Sequence, residues 1–441
     1  MNNKTNIAVQ ALNAIRNSAS IEYRNYIPVA YPAQDSILNI GSTMRDYPFL
    51  YNEYIDLIGR FVRYEYSARM MENHLAFGKR GMLPYGKTVG EIFQGLAEPF
   101  HFDAKTNNLW NVVPPDIQTA YHVVNSDIIY QVDISPTALD SAFLSWDEQY
   151  DFIERVIRRM YDSAAYDDEQ KMKYLIAINL LNGNIKTIGI QGTTTEDASR
   201  QSVKTIKGIS NNFMFPKTEY NRAGVLNHCA KDEQYIIMTA EYDAATDVDV
   251  LAQSFNMDKA EFEGHRVLID SFGSLNQERL AKIITDYVEI SADNLTALNN
   301  IGAVLMAKDW FMVYDSAFDM DSQKISKRRS YQYTLHNRQM LSTSPFQNCV
   351  AFGTTSPSIT SVSVTPSTAS LNRGDTIQIE ANVVTAGFAP QTVTWESDDV
   401  NTTVTASGFV TTANKSAPTV KIKAISTFDK TKTATATLTI S

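Results

Sequence analysis

From Thr376 onward the chain alternates. Ile377, Ile379, Ala381 and Val383 fall on one side and Thr376, Gln378, Glu380 and Asn382 on the other, the period-two pattern of a strand with one dry and one wet face. The last stretch repeats it, with Ala434, Ala436, Leu438 and Ile440 set against Thr433, Thr435, Thr437 and Thr439, and β-branched Thr suits an exposed strand face. Five more short segments, near residues 360–365, 391–396, 402–405, 409–412 and 419–425, bring the number to about seven strands. That is enough for a small two-sheet sandwich, with Trp395 as the natural plug of its core.

Upstream the period changes. Ser145 followed by Trp146, Asp147 and Glu148 predicts a helix start. The hydroxyl can accept a free amide of the first turn, and both acids favour the positive helix end. Phe152, Ile153, Val156, Ile157, Met160 and Tyr161 continue as one apolar stripe to about residue 165. A second helical pattern runs through Met172, Leu175, Ile176 and Leu180 and stops at Asn182, Gly183 and Asn184, which tolerate the left-handed turn that ends a helix. The segment YHVVNSDIIYQVDIS before them reads as extended. Beyond residue 230 the pattern is mixed: YIIMTAEY, RVLIDSF, AVLMAKDWFMVYD, SYQYTLHNRQML and NCVAFGT read as strands and VDVLAQSFN as a helix. Between residues 60 and 98, five glycines and Pro84 are interleaved with Lys79, Arg80 and Lys87. This predicts a long protruding loop flanked by strand-like pieces, and such loops usually pack on a partner.

At 441 residues the chain is long enough for two or three domains, and 44% apolar with 20% charged residues is an ordinary globular composition. The boundary is sharpest near Ser356. From Ser358 to Ser441 there are 19 Thr and 10 Ser, with six basic and six acidic residues, so the net charge of −10 belongs to the first 357 positions. An acidic chain is a poor ligand for phosphate backbones. The first residues lack the basic and apolar blocks of a secretion signal, and no run approaches the roughly 18 apolar residues of a spanning helix. Cys229 and Cys349 cannot form a disulfide framework and read as buried apolar residues.

Catalytic patterns are missing: there is no GxGxxG, P-loop, HExxH, GxSxG or CxxC, and the six His are scattered. The acids Glu241, Asp243, Asp247 and Asp249, or Asp315, Asp319 and Asp321, could attract a divalent ion. Neither group has the Gly and terminal Glu of a calcium loop, so solvated turns are the simpler reading. No cofactor is expected.

Two resemblances follow from particular strings. VSVTPSTASLNRGDTIQIEANV, VTWESDD, GFVTT and ATATLTI resemble the bacterial immunoglobulin-like domain of the second group, an accessory module. NAIRNS at 13–18, LPYGKTVGEIF at 83–93, LDSAFLSW at 139–146, TDVDVLAQSFNMDKAEFEGHRVLIDSF at 246–272 and VLMAKDWFMVYD at 304–315 resemble the major capsid proteins of small short-tailed phages with protein-primed DNA replication, the phi-twenty-nine group. The resemblance implies an α+β protein with the tailed-phage capsid fold of the HK-ninety-seven type. Its parts would be an amino-terminal arm (1–59), an extended hairpin (about 60–98), a peripheral domain with a spine helix (about 99–184) and an axial domain (about 185–356). An all-β immunoglobulin-like sandwich would follow at 357–441.

It also implies a structural role in a virion, with synthesis in the host bacterial cytoplasm and no enzyme activity. The partners would be the chain itself in hexamers and pentamers, a scaffolding protein, a portal, and packaged DNA held without sequence-specific binding; no membrane is involved. Lys79, Arg80, Tyr85 and Lys87 of the hairpin become candidates for contact with a neighbouring subunit. Some shells of this fold join neighbours by a Lys to Asn isopeptide bond. A basic loop lying on an acidic neighbour is the simpler reading, because this phage group is not characterised by such linkage. Two other readings compete. A cell-surface adhesin would carry a secretion signal and tandem modules. A tail tube has little use for so long a spine helix, and a nanocompartment lacks the sandwich.

Overall fold

The structure is a computed structural model of the chain; it describes residues 3–47, 49–55, 57, 73–83, 88–97, 99, 114–135, 140–153, 159–192, 195–247, 265–325, 327 and 330–441. The amino-terminal region is helical, with α1 (Asn3–Ser18), α2 (Ile21–Tyr26) and α3 (Gln34–Asp46). Ala8, Leu12 and Ile15 recur at helical spacing and are buried with Tyr23, Ile37, Ile40 and Met44 in a first core. The expected arm is thus held by its own apolar stripe against the rest of the chain. Next come β1 (Lys79–Met82), β2 (Thr88–Gln94), β3 (Ile117–Val123) and β4 (Ser126–Ile134), followed by α4 (Trp146–Ile153) and α5 (Arg159–Leu181).

Ser145 caps α4 as its sequence predicts, its Oγ accepting the Glu148 amide at 3.2 Å. The long helix is a single element where the sequence pattern suggested two. Arg159 to Leu181 contains no Gly or Pro, so nothing breaks it, and 23 residues span about 34 Å. Its end is a Schellman turn: Gly183 has φ 66°, its amide donates to Leu180 O at 2.9 Å, and the Asn184 amide donates to Asn179 O at 2.8 Å. Met160, Tyr161 and Ala164 of α5 lie in the first core, whereas Met172, Tyr174, Ile176, Ala177 and Leu180 lie in a second. The helix therefore ties two packing units into one body.

The chain continues through β5 (Lys186–Gly189), α6 (Glu196–Asn212), β6 (Gln234–Thr239), α7 (Ala240–Asp247), β7 (Arg266–Ile269), α8 (Gln277–Ile283), α9 (Ala292–Asn299), β8 (Ile301–Ala307), β9 (Phe311–Ile325), β10 (Ser330–Thr343) and β11 (Cys349–Gly353). Two sheets result. One has the order β1-β9-β10-β4, with the long β9 and β10 as an antiparallel pair. The other, β5-β11-β8-β6-β7, is buried on both faces, which explains why its strands read as nearly unbroken apolar runs. Alternate residues divide it: Ile236, Met238, Ala303, Leu305, Val350 and Phe352 face α6 and Phe213, while Ile237, Val304, Met306, Cys349 and Ala351 face α5, α8 and α9. Both cysteines are buried and free, and burial lifts their thiols, that of Cys229 to about 12. The expected helix VDVLAQSFN lies outside the described residues.

The carboxyl-terminal region is all β: β12 (Ser358–Thr365), β13 (Thr368–Leu371), β14 (Thr376–Gln378), β15 (Glu380–Ala386), β16 (Val393–Ser397), β17 (Thr403–Val404), β18 (Phe409–Thr411), β19 (Thr419–Ser426) and β20 (Thr433–Ile440). Ile379, Val410, Val420, Ile422, Ala436 and Leu438 form its core. Trp395 packs against that core and is half-buried, with its ring over Gly408, where φ is 81° and a Cβ would come within 2.9 Å of the indole.

Candidate assembly surface

Lys79 opens β1, which joins the sheet edge in parallel with β9. Its Nζ lies 2.6 Å from Asp168 of α5 and 3.1 Å from Asp315 of β9. Gln339 of β10 donates to the same two carboxylates, at 2.9 and 2.8 Å, and accepts from Lys171 Nζ at 2.7 Å. Burial opposes the Lys79 charge, but Asp168 and Asp315 outweigh it, and the ammonium is held above its ordinary value. Lys171 is fully buried, and there desolvation wins over Asp168 and Asp167, so its affinity for a proton falls. One turn away, Asp167 takes Arg279 and the Tyr130 hydroxyl, the latter at 2.6 Å. Arg80 donates to the carbonyls of Phe311 at 3.0 Å and Asp309 at 2.5 Å. These side chains clamp the root of the hairpin to α5, β9 and β10.

Beyond the root, β2 and β3 form an antiparallel two-stranded ladder, from Thr88 opposite Val123 to Gln94 opposite Ile117. Of the paired strands, β2 lies within the expected 60–98 and β3 lies beyond it. The glycine-rich composition pointed to the turns, and the regular alternation in TVGEIFQ and IQTAYHV marks the strands themselves. The inner face clasps its own chain. The His122 ring nitrogens sit 2.7 Å from Ser342 Oγ and 3.4 Å from Glu91, Ser344 donates to Glu91 at 2.7 Å, and Phe93 stacks on Phe346 with centroids 5.7 Å apart. The outer face turns Ile92, Ile117, Tyr121 and Val123 to solvent, with Ile92 71% and Tyr121 73% exposed. A contiguous exposed apolar face of this kind marks an interaction surface.

Of the four candidates read from the sequence, Lys79 and Arg80 are brought together at the root, each with partners in its own chain. Tyr85 and Lys87 fall in 84–87, outside the described residues. A Lys79 ammonium held charged by two carboxylates is a poor nucleophile. Of the acids considered for a metal, Asp315 pairs with Lys79 and Asp243 with Arg266, at 2.5 Å, and Asp249 lies outside the described residues. Among the described residues no group of three or more His, Cys, Asp or Glu is arranged to hold a metal ion. The period-two pattern around Glu91, Ile92, Tyr121 and His122 is the sequence signal that marks the two faces of the ladder.

Comparison with known proteins gives a consistent result. A family profile described as Phi29-like phage major capsid protein matches residues 12–353. The chain is 29% identical to the major capsid protein of Bacillus phage B103, over 94% of this chain and 88% of that one. It is 28% identical to the major capsid protein of Bacillus phage PZA, over 95% and 90% respectively. Among solved structures, it aligns with a chain from the "Structure of head fiber and inner core protein gp22 of native bacteriophage P68", with a TM-score of 0.50, 11% identity, and coverage of 65% of this chain and 85% of that chain.

Proposed function

Because the chain belongs to the family of Phi29-like phage major capsid proteins, we propose that its copies close into a shell of hexamers and pentamers around packaged double-stranded DNA. The chain is a structural protein of the virion capsid and has the tailed-phage capsid fold with a carboxyl-terminal sandwich. In the proposed shell each subunit meets several neighbours, so contacts that are modest one by one suffice once the shell closes. The observation that carries the reading is the β2–β3 ladder. It has a clamped root, an inner face seated on its own chain and an apolar outer face turned to solvent, which suits a covering copy. In this proposal Lys79 and Arg80 fix the root, while Tyr85 and Lys87 contact the neighbouring subunit.

The work of the protein is assembly rather than catalysis, helped by a scaffolding protein and a portal. A net charge of −10 gives an inner wall that repels the genome, so DNA can slide during entry and ejection instead of adhering. Electron microscopy of the expressed chain, alone and with a candidate scaffold, tests the reading. Closed particles of uniform size are expected, and monodisperse monomers under every condition would contradict it.

A further inference from the structure

Only residues 354–357 join the sandwich to the body, between the end of β11 at Gly353 and the start of β12 at Ser358. Domains joined in this way move against each other by default, unless an apolar contact holds them. Here the loop between β15 and β16 reaches back to the body. Gly387 and Phe388 both have positive φ, at 61° and 60°, a region that a bulky L-residue seldom enters because its Cβ crowds the carbonyl oxygen. The Phe388 ring is partly buried against the second core, the one that holds Ile176, Leu180 and Ile185. A large side chain keeps such a backbone only where its surroundings over-determine it.

The residues around the ring fix the loop on both sides. Ala389 is fully buried and packs with Ile359 and Val383 of the sandwich. Pro390 lies on the Schellman turn of α5, its Cα 2.6 Å from where a Cβ on Gly183 would stand. Gln391 Nε2 donates to Leu181 O at 3.1 Å, one of the last carbonyls of α5, which have no acceptor role within the helix. Gly387 sits against the connection itself, where a Cβ would come within 2.6 Å of the Thr355 and Ser356 carbonyl oxygens, and Ser356 in turn lies against Gly189 of β5. Loop, connection, β5 and the end of the spine helix thus meet in one place.

We propose that residues 387–391 lock the sandwich onto the carboxyl end of the spine helix, with the Phe388 ring as the holding contact, so that sandwich and body behave as one rigid unit. The inference goes beyond the shell reading, because the lock lies within one chain and does not depend on assembly. An accessory module on a free tether would need neither a phenylalanine at φ 60° nor a glutamine on a helix carbonyl. A sandwich held in this way keeps a fixed direction relative to the spine helix, and it closes the open end of that helix.

Limited proteolysis and amide exchange of the full, unassembled chain test it. Phe388→Asn removes the ring and puts in a residue that accepts positive φ more readily, so any loosening comes from the lost contact and not from the backbone. Cleavage within 354–357 by a non-specific protease rises at least about tenfold, the ratio that 1.4 kcal/mol gives, and the Gly183 and Asn184 amides exchange faster, while β8 and β19 keep their protection. Phe388→Leu, which keeps an apolar side chain, restores most of the resistance. Equal cleavage of the unaltered chain and the Asn variant would overturn the lock. A loss of protection in β19 would also overturn it, since Phe388 would then serve the sandwich's own fold and not the joint.

Discussion

Replacing Lys79 by Met removes the ammonium that lies between Asp168 and Asp315, at 2.6 and 3.1 Å, and leaves two largely buried carboxylates side by side. Deleting one partner of a buried pair costs about 3–5 kcal/mol, because the remaining charge stays desolvated without compensation. The low end applies here, about 3 kcal/mol, because Gln339 goes on donating to both carboxylates and Lys79 keeps some exposure to water. Lys171→Met should cost less, about 1 kcal/mol. It removes a charge that burial already disfavours, and the loss is confined to the hydrogen bond to Gln339 and a weak pairing with Asp168.

The two lysines also respond to pH in opposite directions. Lys79 is raised in the folded chain, so its contribution is complete below the ordinary lysine range and is lost as pH climbs through the raised value. Lys171 is lowered, so stability rises with pH between its folded value and the ordinary one. Urea unfolding of the unassembled chain, followed by tryptophan fluorescence from neutral to alkaline pH, measures both. Equal losses for the two variants, or a Lys171→Met loss larger than that of Lys79→Met, would refute the assignment of one favourable and one costly charge.

His122→Ala removes the bonds to Ser342 and Glu91 and should open the ladder locally at a cost of about 1–3 kcal/mol, read as faster amide exchange over Thr88–Gln94 with α5 unchanged. Ile92→Asp with Tyr121→Asp should leave the unfolding midpoint of the unassembled chain within about 0.5 kcal/mol, because both side chains are exposed, while particle yield collapses; a parallel fall in stability would argue against a contact role. Gly183→Val should destabilise by at least about 2 kcal/mol, because φ is 66° and a Cβ would meet Pro390 Cα of the sandwich at 2.6 Å.

The sandwich strands were legible because Thr and apolar residues alternate without interruption, as in Thr433 to Ile440, where Ala436, Leu438 and Ile440 point inward. The end of the spine helix was legible for the same kind of reason: Asn182, Gly183 and Asn184 carry their own turn chemistry. α6 was not, because a helix composed as EDASRQSVKTIKGISNN has few apolar residues to mark its period and depends on Ile206, Ile209 and its Thr195 cap. The root clamp could not be read from the chain at all. Lys79, Asp168, Asp315 and Gln339 are separated by up to 260 positions and meet only through the packing of β1, α5, β9 and β10. The same limit explains why Lys79 and Arg80 looked available to a neighbour: their acidic and carbonyl partners lie in distant parts of their own chain.

Cryo-electron microscopy of assembled particles, at a resolution that shows side chains, tests the central claim most directly. The account predicts that Ile92 and Tyr121 of every subunit are covered by another copy while Lys79 stays on Asp168 and Asp315 of its own chain. Particles in which that outer face of the ladder meets only solvent, with the shell closed through other surfaces, would contradict it.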